Sequence, residues 1–359
     1  MARQEAKRLV VLGASGLLGT AVARELAARP VRLRLVGRRP ARVPRGCAAD
    51  VEIRRADLTE PGAVAEAIEG ADAVFHLAAY MAGPNAWRVD GTDTAAERVN
   101  VGTVRDLVAA VRARRSGHEP PPAVLFSGAM SQCGAPVAGA RLTNEIPDKP
   151  LSGYDQQKTD AERVLLDATE EGLIRGVSLR LATLYSQGTD PIRLDRGVVA
   201  AMARRARAGE RLQMWHDGTV RRDLLCVDDA ARAFGAALDA VDALAGRHWL
   251  VGTGQGTSVA ELFGMISRRV AAYLETDPVP VVTVPPVAHT LPTDGLDFVV
   301  DPAAFHAATG WRAEVPLAAG VERACLAVAR ERGADGSPQD EPRQDESRPD
   351  ESRQNETTG

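Results

Sequence analysis

An apolar run of strand length, RLVVLG, passes directly into LLGTAVARELAAR, whose apolar positions recur with helical period, and Gly13, Gly16 and Gly19 fall across the junction. That arrangement restricts the fold more than any other feature of the chain. Glycine lets the backbone turn tightly, lets an anion approach main-chain N–H groups, and lets the helix lie close against the strand, while the helix N-terminus attracts negative charge. Spaced glycines alone also mark ordinary turns. Here the strand, the helix and the place at the start of the chain agree on a dinucleotide pyrophosphate as the anion, with Gly13, Ser15, Gly16, Leu17, Leu18 and Gly19 as its contacts.

The rhythm continues through VRLRLVG, VEIRRADL, a helix near residues 60 to 69, DAVFHLAA, the long helical segment DTAAERVNVGTVRDLVAAVRARR and PPPAVLFSG. A helix from about Tyr154 and a sixth strand, GVSLRLATLY, follow. Such alternation predicts an α/β fold, a doubly wound parallel sheet with helices on both faces. It loosens from about Ser186 to Val220 and from about Thr253 to Arg330, where proline-containing loops separate helices; Ser258 and Glu261 have the spacing of a capping box at the start of one of them. These parts read as a smaller substrate lobe. Residues 1–182, rejoined by about 224–253, make the nucleotide-binding domain, and 183–223 with 254–331 make the lobe. The five-residue repeat QDEPR, QDESR, PDESR, QNETT has no apolar residue to bury, so 332–359 are expected to be a disordered tail.

With 359 residues, 45% of them hydrophobic, the chain can bury a sizeable core. Its formal charge of −4 gives no field that would gather nucleic acid or an anionic membrane, which leaves small-molecule chemistry. Cys47, Cys133, Cys226 and Cys325 are scattered without metal-ligand or redox spacing, so they are expected to be buried thiols, and no metal is expected. The opening MARQEAKRLVVLGASG has too short an apolar run for a signal peptide or a membrane span, which makes the cytoplasm the expected compartment.

After the second strand, Arg38 and Arg39 stand where a dinucleotide fold meets the adenosine ribose. An acidic residue there grips the free 2′-hydroxyl of NAD, whereas cations suit the 2′-phosphate, so NADPH is expected over NADH. Asp57 and Leu58, at the end of the third strand, are candidates for adenine contact, and either also serves simply to end that strand.

Lysine is scarce, occurring only as Lys7, Lys149 and Lys158, while arginine fills the other basic positions. Lys158 lies four residues after Tyr154, which puts both on one face of a helix. Beside a nicotinamide, a compact ammonium is expected to lower the pKa of the phenol and hold the ribose, while the phenol protonates a carbonyl oxygen as hydride reaches its carbon.

GASGLLG, the Asp57–Leu58 pair, HLAA at residues 76–79, Asn100, YDQQK and RRDLLCVDD together resemble, in order, the landmarks of extended short-chain dehydrogenases/reductases, from residue 8 to about 330. More narrowly, FSGAMSQCG, GYDQQK, DRGVVAAM, MWHDGTVRRDLL and AGRHWLVGTG resemble NDP-4-keto-6-deoxyhexose ketoreductases. The resemblance implies a Rossmann domain, a homodimer formed through the long helix and the Tyr154 helix, a nucleotide-sugar substrate, and cofactor contacts at Leu77, Ala78 and Ala79. It also implies that Arg222, followed by Asp223, meets the substrate diphosphate, that Asn100 ties the long helix to the active-site floor, and that His76 is a strand-end residue beside the cofactor.

Three departures qualify it. The usual serine or threonine at the end of the fifth strand is Ala129, with Ser127 and Ser131 two residues to either side; Ser131 substitutes if the loop bends, or else merely caps a local turn. A second diphosphate arginine is matched by Leu291. The acidic pair that a 4,6-dehydratase carries after the hydroxyl position is Met130 and Ser131. The narrower resemblance, with Arg38 and Arg39, implies NADPH-dependent reduction of the C4 ketone of a dTDP-4-keto-6-deoxyhexose in deoxysugar and antibiotic biosynthesis. The alternatives are a 4-epimerase with retained NAD or a non-catalytic NADP-binding protein. Trp87 and Trp215 either border the substrate or pack between lobes.

Overall fold

The computed structural model describes residues 6–44, 46–80, 93–114, 120–137, 139–189, 194–285 and 292–331. Trp87, Leu291 and the 332–359 tail lie outside the described residues. The first six strands are β1 (Arg8–Leu12), β2 (Arg32–Gly37), β3 (Asp50–Arg55), β4 (Ala73–His76), β5 (Ala123–Ala129) and β6 (Arg175–Leu181). They are followed by β7 (Thr183–Tyr185), β8 (Leu212–Trp215), β9 (Arg221–Cys226), β10 (Arg247–Val251), β11 (Gly256–Ser258) and β12 (Val281–Val284).

Seven strands form one sheet in the order β10-β6-β5-β4-β1-β2-β3, every pairing parallel. The inner strands β1, β4 and β5 are largely apolar because both faces are covered: Leu9 and Val11, with Leu35 of β2, pack with Ala21, Val22 and Phe234 on one face, and Val10 and Leu12, with Val36 of β2, pack with the cluster containing Leu107 and Leu165 on the other. This is the doubly wound Rossmann arrangement. The strand order reverses between β1 and β4, which opens a crevice at their carboxyl ends.

Three short strands form a second sheet, β11-β9-β7, and β12 pairs with β8. Around them Val199, Leu262, Ile266, Val321 and Cys325 make a core of their own. The helix Val259–Leu274 starts with the expected capping box: Ser258 Oγ accepts from Glu261 N, and Ser258 N donates to Glu261 Oε2.

Two elements differ from their sequence patterns. GVSLRLATLY is not one strand, because the chain leaves the large sheet at Ala182 and its continuation joins β9 as β7. Leu181, Ala182 and Tyr185 are all buried, so hydropathy carries no mark of the change. The long helical segment is interrupted by a π turn at Arg98–Gly102 between the helices Thr94–Glu97 and Thr103–Arg114. Such turns are wide local defects common at functional sites, and they leave the apolar periodicity almost unchanged.

Candidate active site

The glycine loop is built by close approach of backbones. Gly13 has φ of +87°, and a Cβ there would lie 2.8 Å from Ala78 N at the end of β4. A Cβ on Gly19 would lie 2.1 Å from the Gly13 carbonyl oxygen. No side chain of other size fits either position. Gly13 N and Ala14 N both donate to Val36 O, at 2.9 and 3.0 Å, which fixes the loop to β2. The helix Leu17–Ala27 that follows has no side-chain cap and no acidic residue in its first turn. An uncapped helix N-terminus, preceded by a loop that excludes side chains, fits a pyrophosphate. Leu77 and Ala78 form the opposite wall, with Ala79 next along the chain.

Arg38 and Arg39 are both exposed just beyond β2. β3 ends at Arg55, so Asp57 does not close it. Asp57 Oδ1 accepts from Thr59 N at 3.0 Å and Thr59 Oγ1 at 2.7 Å, and these bonds hold its carboxyl below the usual range, with Arg38 and Arg98 nearby. Asp57 is thus a turn former, and Leu58 is buried in the core.

Tyr154 and Lys158 lie on the helix Gly153–Glu170, whose N-cap Ser152 accepts from Asp155 N. Lys158 Nζ is 5.8 Å from the Tyr154 ring centroid and 4.7 Å from that of Phe126, and it donates to Ser127 O at 2.9 Å. The two side chains come together, but the expected acidification of the phenol does not appear. Burial pushes the Tyr154 hydroxyl above its ordinary value, Asp155 adds to the shift, and the ammonium is directed at the Ser127 carbonyl. Burial also pulls Lys158 down to about 8. The phenol therefore keeps its proton across the physiological range, while the ammonium is lost on moderate alkalinisation.

Ala129 ends β5, and the chain bends into a single 3₁₀ turn at Met130–Cys133. Ser131, the candidate substitute for the missing hydroxyl, lies within this turn. Its Oγ donates to Asp155 Oδ1, while Ser152 Oγ donates to Asp155 Oδ2 at 2.6 Å. Asp155 is buried, and that burial raises its pKa despite both hydroxyls. The hydroxyl proton of Ser131 is thus already committed.

Beneath this turn lies a buried polar network that the sequence reading missed. Gln132 Oε1 accepts from Ala129 N at 2.8 Å, and Gln132 Nε2 reaches Glu162 at 3.3 Å. Glu162 also accepts from Ser178 Oγ and from Arg180 Nε, while Arg180 pairs with Asp148 through two bonds of 2.6 and 2.7 Å. Arg180 is fully buried. Two signals were available: Arg180 is a charge flanked by Leu179 and Leu181 inside a buried parallel strand, and Glu162 is one helical turn beyond Lys158 on the same face.

Asn100, in the π turn, accepts from Tyr80 N at 2.9 Å and donates to Gln157 Oε1 at 2.8 Å, which joins the β4 exit to the Tyr154 helix. His76 is fully buried. Thr103 Oγ1 gives its proton to Val99 O, so in the 2.9 Å contact with His76 Nε2 the ring is assigned as the donor. Burial, reinforced by the Lys158 ammonium, pulls the His76 pKa down to about 3 and keeps the ring neutral.

In the smaller lobe, Arg222 Nη1 donates to Leu296 O, Nη2 donates to Asp294 O at 3.1 Å, and the guanidinium lies 5.4 Å from the Phe298 ring centroid. Asp223 is fully buried, and its carboxylate accepts from Thr253 N, Thr253 Oγ1 and Gly254 N. Trp215 closes β8 and is partly buried. Among the described residues no His, Cys, Asp and Glu cluster is arranged to hold a metal, and no helix is long and apolar enough to cross a membrane. Cys133, Cys226 and Cys325 are buried thiols, whereas Cys47 is only partly buried.

Sheet, switch point and glycine cradle define a dinucleotide-binding protein of the Rossmann class. A model of the NAD dependent epimerase/dehydratase family matches residues 9–252, and the chain belongs to that family. It is 30% identical over 273 residues to the 2-alkyl-3-oxoalkanoate reductase of Stenotrophomonas maltophilia, covering 74% of this chain and 76% of that protein. To the dTDP-6-deoxy-L-talose 4-dehydrogenase (NAD(P)(+)) of Kitasatospora kifunensis it is 28% identical over 276 residues, covering 76% and 82%. Among solved structures, the UDP-glucose 4-epimerase of Thermus thermophilus in complex with NAD superposes with a TM-score of 0.73 at 25% identity, covering 90% of this chain and 99% of that one.

Proposed function

We propose that the protein is an NADPH-dependent ketoreductase that reduces the C4 ketone of a dTDP-4-keto-6-deoxyhexose. The observation that carries this reading is the pairing of a partly buried Tyr154 with the buried Lys158 one helical turn on, the ammonium 5.8 Å from the phenol ring centroid and bonded to the Ser127 carbonyl at the carboxyl end of β5. In this reading the protonated Tyr154 gives its proton to the carbonyl oxygen as hydride reaches the carbon, and the cationic Lys158 offsets the charge left on the phenol. Bound NADPH supplies the hydride. Gly13, Ser15, Gly16, Leu17, Leu18 and Gly19 hold the pyrophosphate end, Arg38 and Arg39 the adenosine end, and Lys158 the nicotinamide ribose. Met130 and Ser131 offer no acid–base pair for elimination. The likeness to a dTDP-6-deoxy-L-talose 4-dehydrogenase supports the sugar class, and the homodimer implied by the resemblance belongs to the same reading.

A second reading has its own support. The Arg222 guanidinium is held by backbone carbonyls at Leu296 and Asp294, and a 30% identical relative is named as a reductase of 2-alkyl-3-oxoalkanoates, which carry no diphosphate. One experiment separates the two. The protein is offered 4-keto-6-deoxy nucleotide sugars and 2-alkyl-3-oxo acids with NADPH, and loss of nicotinamide absorbance is followed. The sugar should be consumed, Tyr154→Phe should lower turnover by about 10²–10⁴-fold, and the rate should fall as pH rises through about 8, where Lys158 loses its proton. Turnover of the oxo acids alone would favour the second reading. Activity without added NADPH in protein that purifies with NAD would overturn both.

A further inference from the structure

Arg55 lies opposite Gly37, its register partner across the parallel β2–β3 pair. Register partners in a parallel pair present their side chains to the same face. That face carries the glycine loop: a Cβ on Gly37 would sit 2.9 Å from Ser15 Oγ and 3.3 Å from the Arg39 carbonyl oxygen. Leu35, two residues earlier on the same side of β2, packs in the core that includes Ala14, Ala21 and Val22. The neighbouring charges on β3 point the other way, where Glu52 pairs with Arg34 and Arg54. Because Gly37 has no side chain, β2 puts nothing between Arg55 and the loop at that level.

Arg55 is exposed, and its Nε donates to the Arg38 carbonyl oxygen at 3.1 Å. Among the described residues no carboxylate pairs with Arg55. Its neutral partner uses one of five donors and leaves the charge uncompensated beside those of Arg38 and Arg39. The nearby carboxylate, Asp57, is bonded to Thr59 and is turned toward its own loop.

We infer that Arg55 is a third cation of the adenosine site, set by the β2–β3 register to meet the 2′-phosphate of NADPH and to brace the Arg38–Arg39 loop at the same time. The inference rests on the NADPH reading above, and it adds a residue from the third strand to a recognition element that the sequence placed after the second.

Binding of 2′,5′-ADP and of 5′-AMP to the intact chain, measured by calorimetry without substrate or nicotinamide, isolates the 2′-phosphate. The unaltered protein should prefer 2′,5′-ADP. Arg55→Ala should weaken 2′,5′-ADP by about tenfold, the scale of one exposed charge-assisted contact, and leave 5′-AMP unchanged. Arg55→Lys should recover part of the loss, and raising the salt concentration should shrink it. Equal weakening of both nucleotides would reduce Arg55 to a brace, and no change in either would remove it from the site; both results overturn the inference while the preference of the unaltered protein stands. An unaltered protein that binds the two alike would overturn the NADPH reading and this inference with it.

Discussion

The glycine loop and the turn after β5 stand at the carboxyl ends of the same sheet, yet they are held by different means. The loop is shaped by what is absent: no side chain fits at Gly13 or Gly19, and its bonds to β2 come from main-chain N–H groups. The turn is shaped by what is present: Gln132 holds Ala129 N, Glu162 holds Gln132, and Arg180 and Ser178 hold Glu162. A backbone cradle leaves its N–H groups for a ligand of fixed charge and tolerates little change. A side-chain network places the turn after β5 without fixing which groups that turn displays, so alanine can stand at the end of β5 while the turn keeps its shape.

The largest effect is expected where the backbone decides. In Gly19→Ala the new methyl would meet the Gly13 carbonyl oxygen at 2.1 Å. Strand and helix must separate, at a cost of about 3 kcal/mol or more, and nucleotide binding should be lost altogether; denaturant unfolding and calorimetry with NADPH check both. Retained binding would mean that the helix does not need its close approach. Next is Arg180→Met, which removes the guanidinium bonded to both Glu162 and Asp148. Removing one partner from a buried ion pair costs about 3–5 kcal/mol, whereas replacing both with apolar residues costs much less. Arg180→Met should therefore lower the denaturation midpoint well below that of Arg180→Met combined with Glu162→Leu. The double variant should be the slower enzyme despite its stability, because Gln132 has lost Glu162. Equal stability of the two would show that the network contributes no net constraint.

The same contrast explains what could be read from the sequence. The parallel sheet, the loop, and the pairing of Tyr154 with Lys158 follow from period and spacing, which are local. The break at Ala182 and the π turn at Arg98–Gly102 change partners or hydrogen bonds without changing hydropathy, so periodicity passes over them. The state of the phenol also depends on tertiary surroundings. Spacing brought the ammonium to the same helical face, but burial raises the Tyr154 pKa, and Lys158 finds a carbonyl 31 residues distant in sequence. Ser131 is similar: its hydroxyl was visible, but its commitment to Asp155, 24 residues on, was not. Arg180 was legible only as an anomaly, a charge between Leu179 and Leu181.

The smallest expected effect bears most directly on the turn. Ala129→Ser restores a hydroxyl at the end of β5 without touching the bond from Ala129 N to Gln132, since that bond is made by the backbone. The network should therefore hold the new side chain where the old one stood. A single optimised donor to a reacting oxygen is worth on the order of 10²–10³ in rate, and an added hydroxyl that has not been refined for its substrate should deliver about tenfold, in kcat more than in KM. The companion variant Ser131→Ala, in which Asp155 loses one of its two hydroxyl donors, should cost about 1 kcal/mol of stability and leave that gain intact. A fall in kcat for Ala129→Ser would reverse the argument, because it would mean that the substrate carbonyl occupies the space the alanine leaves, and that the network preserves this space rather than a lost donor's place.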